Sequence, residues 1–461
     1  MTTIVSHRTA EEIGRTAAGP RPLPPLGPTR ETPLPDVVEA TTSTGLRVLA
    51  VRRPSVPMVE LRLRVPFAAP HADRAAEHAA VAELLASTLL TGTATRDRVA
   101  IDDEFAAVGA DISVTVDPED LQLNGSLLAS GLPAALDVLA DVLSGATHPD
   151  PEVGRERDRL VERITMARAQ PETIAREALQ RRRFDGHPLV HEVPQADHVA
   201  AVTADQVRAL HAAALVPRGS TLVLVGDIDP ERAINDVERH LASWTADVAA
   251  RELTPPPPVR PGDVQLVHRT GSVQSQLRLS APAVPRHDER YAALQLTNLV
   301  FGGYFSSRWM ENIREDKGYT YGCHSSIEFI PGGAVLTVET DVASDVTAAA
   351  LLETRYELGR LSAVPPTADE VDAARRYLIG SLSISLDNQA GLASTISALA
   401  ADGLGVDWLR AHPARLEAVT PEQVAAAALE FFAPAAFTGV IVGDAEVVGA
   451  GLRALGGVTG P

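Results

Sequence analysis

The chain repeats itself, and the repetition constrains its fold more than any other feature. The stretch "VTADQVRALHAAALVPRGSTLVLVGD" at 202–227 lies without a gap on "VTPEQVAAAALEFFAPAAFTGVIVGD" at 419–444. Val202, Thr203, Gln206, Val207, Thr221, Val223, Val225, Gly226 and Asp227 all recur 217 positions on. Upstream, "PEVGRERDRLV" (151–161) parallels "DEVDAARRYLI" (369–379) at an offset of 218. A duplicated unit of this size has to be built twice from one order of elements. Each copy opens with a strand ("PMVELRLRVPF"; "SQLRLSAPAV"), runs through alanine-rich helices and closes on an apolar strand ending in Gly-Asp. In the first strand Val59, Leu61, Leu63 and Val65 alternate with Glu60, Arg62 and Arg64, the period of a half-buried strand. Asp150-Pro151 predicts an N-cap and an N1 proline ahead of "EVGRERDRLVERITMA". Strand and helix runs without strict alternation predict an α+β class: two homologous domains, each with helices packed on a mostly antiparallel sheet.

Proline sets the boundaries. "GPRPLPPLGPTRETPLP" favours extended chain up to residue 36, and "TPPPPVRPG" at 254–262 reads as a linker. The expected division is a proline-rich extension (1–36), a first domain (37–250), a linker (251–262) and a second domain (263–461). With 45% hydrophobic residues and no apolar run of 18, the chain reads as soluble and globular, with no membrane span. The first thirty residues lack a basic start followed by an apolar stretch, so the expected location is cytoplasmic. A net charge of −19 argues against nucleic acid, whose phosphates need a basic surface. The single cysteine, Cys323, can build neither an internal disulfide nor a cysteine zinc cluster.

"AAEHAAVAELLASTLLTGT" (75–93) reads as a helix carrying Glu77-His78, half of an H-x-x-E-H zinc motif whose first histidine would stand at Arg74. "TGTATR" (91–96) follows it, and "YFSSRWMENIREDKGYTYG" (304–322) stands in the second half. On these motifs the chain, from about 37 to 446, resembles the insulinase and pitrilysin family of metallopeptidases, in particular the short two-domain members similar to mitochondrial processing peptidase subunits. Anchoring on Gly92, the resemblance places the family's first His, its Glu and its second His at Glu83, Ala86 and Ser87. It places the third ligand at Arg163, with Glu156 seven residues before it. A catalytic zinc needs about three nitrogen or carboxylate donors, and only Glu83 could serve. Glu77 and His78 lie nine residues before these positions, about 13 Å along the axis and on the opposite face. They are therefore expected on solvated surface, outside the same pocket. The rival metal reading is a rearranged site at His71, Glu77 and His78.

The resemblance also implies a role for Arg314 and Tyr321, which match the arginine and tyrosine that family members aim at the zinc from the second domain. A guanidinium and a phenol O–H can stabilise the negative charge that peptide hydrolysis builds on a carbonyl oxygen. Keeping this pair while losing the metal ligands implies the non-catalytic, zinc-free subunit of a heterodimeric endopeptidase. Its homologous partner would carry the zinc, and the two would enclose a peptide substrate. The alternative is a structural or peptide-binding scaffold without turnover. Arg163 is expected to fill the vacated pocket and pair with Glu83. His187 and His191 in "GHPLVHE" are expected in a loop because Pro188 separates them. Gly302-Gly303 stands where partners can carry a substrate-contacting loop. Asp117, Glu119 and Asp120 depart from the family's substrate-binding strand, so no substrate role is assigned there.

Overall fold

In the computed structural model, which describes residues 34–460, each half builds one six-stranded sheet. The first contains β1 (Val37–Thr41), β2 (Arg47–Arg52), β3 (Met58–Pro66), β4 (Asp111–Val116), β5 (Asp120–Leu128) and β6 (Thr221–Gly226), in the order β1-β2-β6-β3-β5-β4. The second contains β7 (Val264–His268), β8 (Gln274–Ala283), β9 (Cys323–Ile330), β10 (Gly333–Ala343), β11 (Thr438–Gly443) and β12 (Val458–Thr459), in the order β12-β7-β11-β8-β10-β9. Pairing is antiparallel except at β2–β6, β7–β11 and β7–β12. This is the expected α+β class, and β6 and β11 are the two strands that end in Gly-Asp.

The repeated residues have physical reasons. Thr203 and Gln206 form a capping box at the start of one helix, and Thr420 and Gln423 form the same box in the second copy. A side chain on Gly226 would place Cβ 2.2 Å from the carbonyl oxygen of Met58, so that position admits only glycine. Arg62 and Arg278, on β3 and β8, each turn a guanidinium back onto sheet carbonyls: Arg62 on Leu61 and Gly125, Arg278 on Leu277 and Thr340.

The helices that position the site are α1 (Ala75–Thr88), α2 (Asp150–Arg168), α3 (Pro171–Phe184), α4 (Ala368–Asp387) and α5 (Gln389–Ala401). Helix α2 is capped by Pro149, one residue ahead of the expected Asp150, which lies within the first turn. Helices α3 and α5 occupy equivalent places in the duplication but change partners. On α5, Leu392, Ala393, Ile396 and Ala400 pack on Leu49, Val51, Val223 and Val225 of the first sheet. On α3, Ala178 and Leu179 pack on Val440 of the second. The exchange is pinned symmetrically. Arg53 Nη2 donates to the carbonyl of Asp387 at 2.9 Å, and Arg269 Nη2 to that of Ala169 at 3.1 Å. The outward face of β3, polar in sequence, is therefore roofed by α5 rather than open to water: Arg62 Nε donates to Ser394 Oγ at 3.2 Å. The proline-dense start of the chain lies, up to residue 33, outside the described residues. Among the described residues no single helix is long and apolar enough to cross a membrane.

Candidate functional site

Helix α1 is held by Leu84 and Leu85, both fully buried in the first core. That places the three family positions at its C-terminal end. Ala86 offers a buried methyl group, and Ser87 Oγ donates to the carbonyl of Glu83 at 2.8 Å. The Glu83 carboxyl is half-buried; burial raises its pKa, and the charge of Arg163 opposes the rise. The expected buried pair does not form. Arg163 is exposed on α2 and reaches Glu83 only as a nearby charge. The reason is local: on α2, Leu160 and Ile164 face the core and turn Arg163 outward. Glu156 accepts from Arg159 at 3.0 Å.

Glu77 is exposed and paired with Arg74 at 3.2 Å. His78, expected on a solvated face, is half-buried instead. Its Nε2 lies 2.7 Å from the carbonyl oxygen of Phe67, and its ring packs on that side chain at 5.6 Å. Burial lowers its pKa. His78 also shares a small cavity with Glu83, against the expectation that the two motifs occupy separate pockets. The small Ala79 and Ala82 between them leave that space open. His71 is exposed, and among the described residues no group of three or more His, Cys, Asp or Glu could hold a metal ion. The residues at the family's zinc positions do not fit the metal: one carboxyl, a methyl, a hydroxyl committed to its own helix and a guanidinium. His187 caps a short 3-10 turn, Pro188–His191, whose last residue is His191, and His187 Nε2 donates to the carbonyl of Thr254 at 2.9 Å.

In the second half, the 304–322 stretch follows one π-helical turn, Leu299–Gly303, and contains another, Glu311–Asp316, a geometry common at functional sites. Gly302 is explained by packing: a Cβ there would lie 2.9 Å from the Trp309 ring. Arg308 is buried and fastened to Glu370 at the start of α4, with contacts of 2.6 and 2.9 Å. Those hydrogen bonds hold the Glu370 pKa down at about 2. Arg314, on the second π turn, rests its guanidinium 4.8 Å over the Phe305 ring and pairs with Glu315. Tyr321 is 97% exposed. No hydrogen bond or ring contact joins Arg314 to Tyr321 among the described residues. Both can present N–H or O–H donors to a molecule arriving from solvent. Cys323 is not such a group, since burial pushes its thiol up to about 12.

Sequence reasoning missed a buried hydrogen-bonded chain behind α1. Thr88 Oγ1 lies 2.8 Å from His148 Nδ1, His148 Nε2 lies 2.9 Å from His211 Nδ1, and His211 Nε2 lies 3.1 Å from the Leu143 carbonyl. Nothing in the local spacing announces it. The paired Arg62 and Arg278 were visible as the repeated "LRL" of the two opening strands.

Two matched six-stranded sheets, each packed with helices in the same order, define a duplicated two-domain α+β scaffold. The chain belongs to the insulinase peptidase family, M16. Residues 48–196 match the family's "Insulinase (Peptidase family M16)" model, and residues 201–378 its "Peptidase M16 inactive domain" model. A protein described as an uncharacterized zinc protease of Streptomyces coelicolor is 27% identical over 416 residues, 87% of each chain. Another so described, from Mycobacterium tuberculosis, is 27% identical over 396 residues, covering 84% of this chain and 89% of its own. A structure described as a peptidase M16 inactive domain from Pseudomonas fluorescens superposes with a TM-score of 0.80 at 24% identity, covering 89% of this chain and 98% of that one. A protease from Helicobacter pylori superposes equally well (TM-score 0.80) at 14% identity, over 89% of this chain and all of its own. At these identities the structural likeness speaks for the fold. The match to the inactive-domain model and the degenerate donor set are those of a non-catalytic family member.

Proposed function

We propose that this chain is the zinc-free subunit of a heterodimeric zinc endopeptidase acting on peptides in the cytoplasm. The observation that carries the reading is a contrast between halves: no metal donor set remains on α1 and α2, while Tyr321 is exposed and Arg314, half-buried over the Phe305 ring, keeps a partly accessible guanidinium. A zinc-bearing homologue would supply metal, base and ligands. This chain would supply the guanidinium of Arg314 and the hydroxyl of Tyr321, donating hydrogen bonds to the substrate carbonyl as it gains charge. The surface pair of Arg314 with Glu315 is no obstacle, since such pairs contribute only about 0–1 kcal/mol and exchange readily.

The test is co-expression with a zinc-bearing homologue from the same source, followed by peptide cleavage. Arg314→Ala and Tyr321→Phe are each expected to lower kcat by about 10²–10³-fold, the range for losing one oxyanion donor, with zinc content unchanged. Equal cleavage by wild type and both variants would remove the assigned role. One observation favours a second reading, a scaffold without turnover: no hydrogen bond or ring contact joins Arg314 to Tyr321 among the described residues. Under that reading no complex containing the chain cleaves peptide.

A further inference from the structure

The two copies of one helix differ on their outer face. On α2, Arg159, Glu162 and Met166 are exposed, and Arg159 pairs with Glu156 at 3.0 Å. Their equivalents in the duplication, 218 residues on, are Tyr377, Gly380 and Ile384 of α4. Spacings of three, four and seven residues put these three on one helix face, with Tyr377 and Ile384 about 10 Å apart along the axis. Tyr377 is 49% exposed and Ile384 75%. A Cβ on Gly380 would meet nothing within 4 Å, so the surface between the two is open. A helix of a globular protein ordinarily turns charged and polar groups outward. At these positions α2 largely does so, whereas α4 presents a ring, a gap and a branched aliphatic chain.

This apolar stripe is held in place and leads toward Arg314. The Tyr377 ring packs on that of Tyr304 at 5.2 Å, and Tyr304 is half-buried against the second core. Phe305 follows it in the chain, 62% exposed and lying under the Arg314 guanidinium. Arg308 ties the same segment to Glu370 of α4, so the helix and the 304–308 stretch keep one geometry. The exposed parts of Phe305, Tyr377 and Ile384 come to a few hundred Å², the size of a patch that marks a binding site. A stable protein interface buries about 800 Å² on each partner. The stripe is too small for that and large enough for one or two side chains of a peptide.

We infer that this stripe is a specificity site, which receives a large apolar side chain, aromatic or branched aliphatic, of the peptide whose carbonyl Arg314 and Tyr321 address. The substrate class is therefore a peptide with such a residue close to the cleaved bond. The link to cleavage rests on the peptidase-subunit reading; the binding of an apolar side chain does not.

Two measurements keep these parts separate. In the first, the full chain alone is mixed with the blocked tripeptides Ac-Ala-Phe-Ala-NH2 and Ac-Ala-Ser-Ala-NH2, and saturation-transfer NMR reads contact. Transfer to the Phe ring protons is expected, with little to the Ser peptide, and Y377S/I384S should abolish it; both positions are exposed, so the fold tolerates the changes. V447S is the control and should keep it. Val447 is 59% exposed on the helix Ala445–Leu455, which packs by β7 and β12, at the opposite edge of the sheet from β9 and the π turn Leu299–Gly303. In the second, the complex with a zinc-bearing homologue should cleave a peptide carrying Phe beside the cleaved bond with a kcat/KM at least about tenfold above its Ser analogue. Y377S/I384S should bring that ratio close to one. If no complex cleaves either peptide, the peptidase-subunit reading falls and the transfer measurement alone decides the stripe. Equal transfer to the two peptides, Phe transfer unchanged in Y377S/I384S, or cleavage indifferent to the Phe overturns the assignment. So does gel filtration in which the wild type is a dimer and Y377S/I384S a monomer, because a second copy would then be the occupant.

Discussion

Ser87 returns its hydroxyl to the carbonyl of Glu83, and Arg163 faces solvent one helix away. Rebuilding the metal helix alone should therefore fail. E83H/A86E/S87H is expected to bind zinc more weakly than the same variant with R163E, because only the fourth change adds the third ligand and removes a cation. Chelator competition reads the difference. The buried His148 makes a second prediction. Burial, followed by the charges of His211 and Arg208, lowers it from 6.5 to about 3, so the unfolded chain takes up a proton first as pH falls. Stability is full above 6.5 and declines toward 3. Between pH 7 and 5 this one residue removes about 2 kcal/mol, and His148→Asn, which tolerates the left-handed φ of 42° there, should flatten that slope in urea unfolding. At this scale the sequence was partly legible. Spacing located Glu83, Ala86, Ser87 and Arg163 on their helices, but not the direction each side chain takes. That direction left Glu83 and Arg163 unpaired and drew His78 onto the Phe67 carbonyl.

At the scale of elements, the duplication announced the strands and their Gly-Asp endings because each rests on local chemistry; the capping boxes behind the repeated Thr and Gln emerged only in the structure. It did not announce which sheet α3 and α5 cover. An apolar helical stripe looks the same whether it packs on its own half or the other. The exchange predicts distant effects. Leu392→Ala on α5 should destabilise by about 2–5 kcal/mol, as for a buried leucine. It should also speed hydrogen exchange in β6, whose Val223 and Val225 it covers. Faster exchange confined to the second half would contradict the packing.

For the whole molecule, the linker is not what holds the halves together. Residues from Leu34 onward form one compact unit, and each sheet carries a helix from the other half. A protease site inserted between Pro257 and Pro258, both exposed, should allow cleavage without separation: the nicked chain is expected to elute as one species in native gel filtration and as two in urea. A fragment ending at residue 250 should aggregate, because it leaves Leu49, Val51, Val223 and Val225 uncovered, and light scattering would show it.

The same interleaving bears on how the protein is made. The first sheet is spelled out once the ribosome reaches Gly226, but its cover is not translated until Ala401. At about 5–20 residues per second that interval lasts roughly 10–35 s. For that time an apolar sheet face waits in the cell without its lid, so the growing chain is a natural client for a chaperone that shields it until the second half arrives.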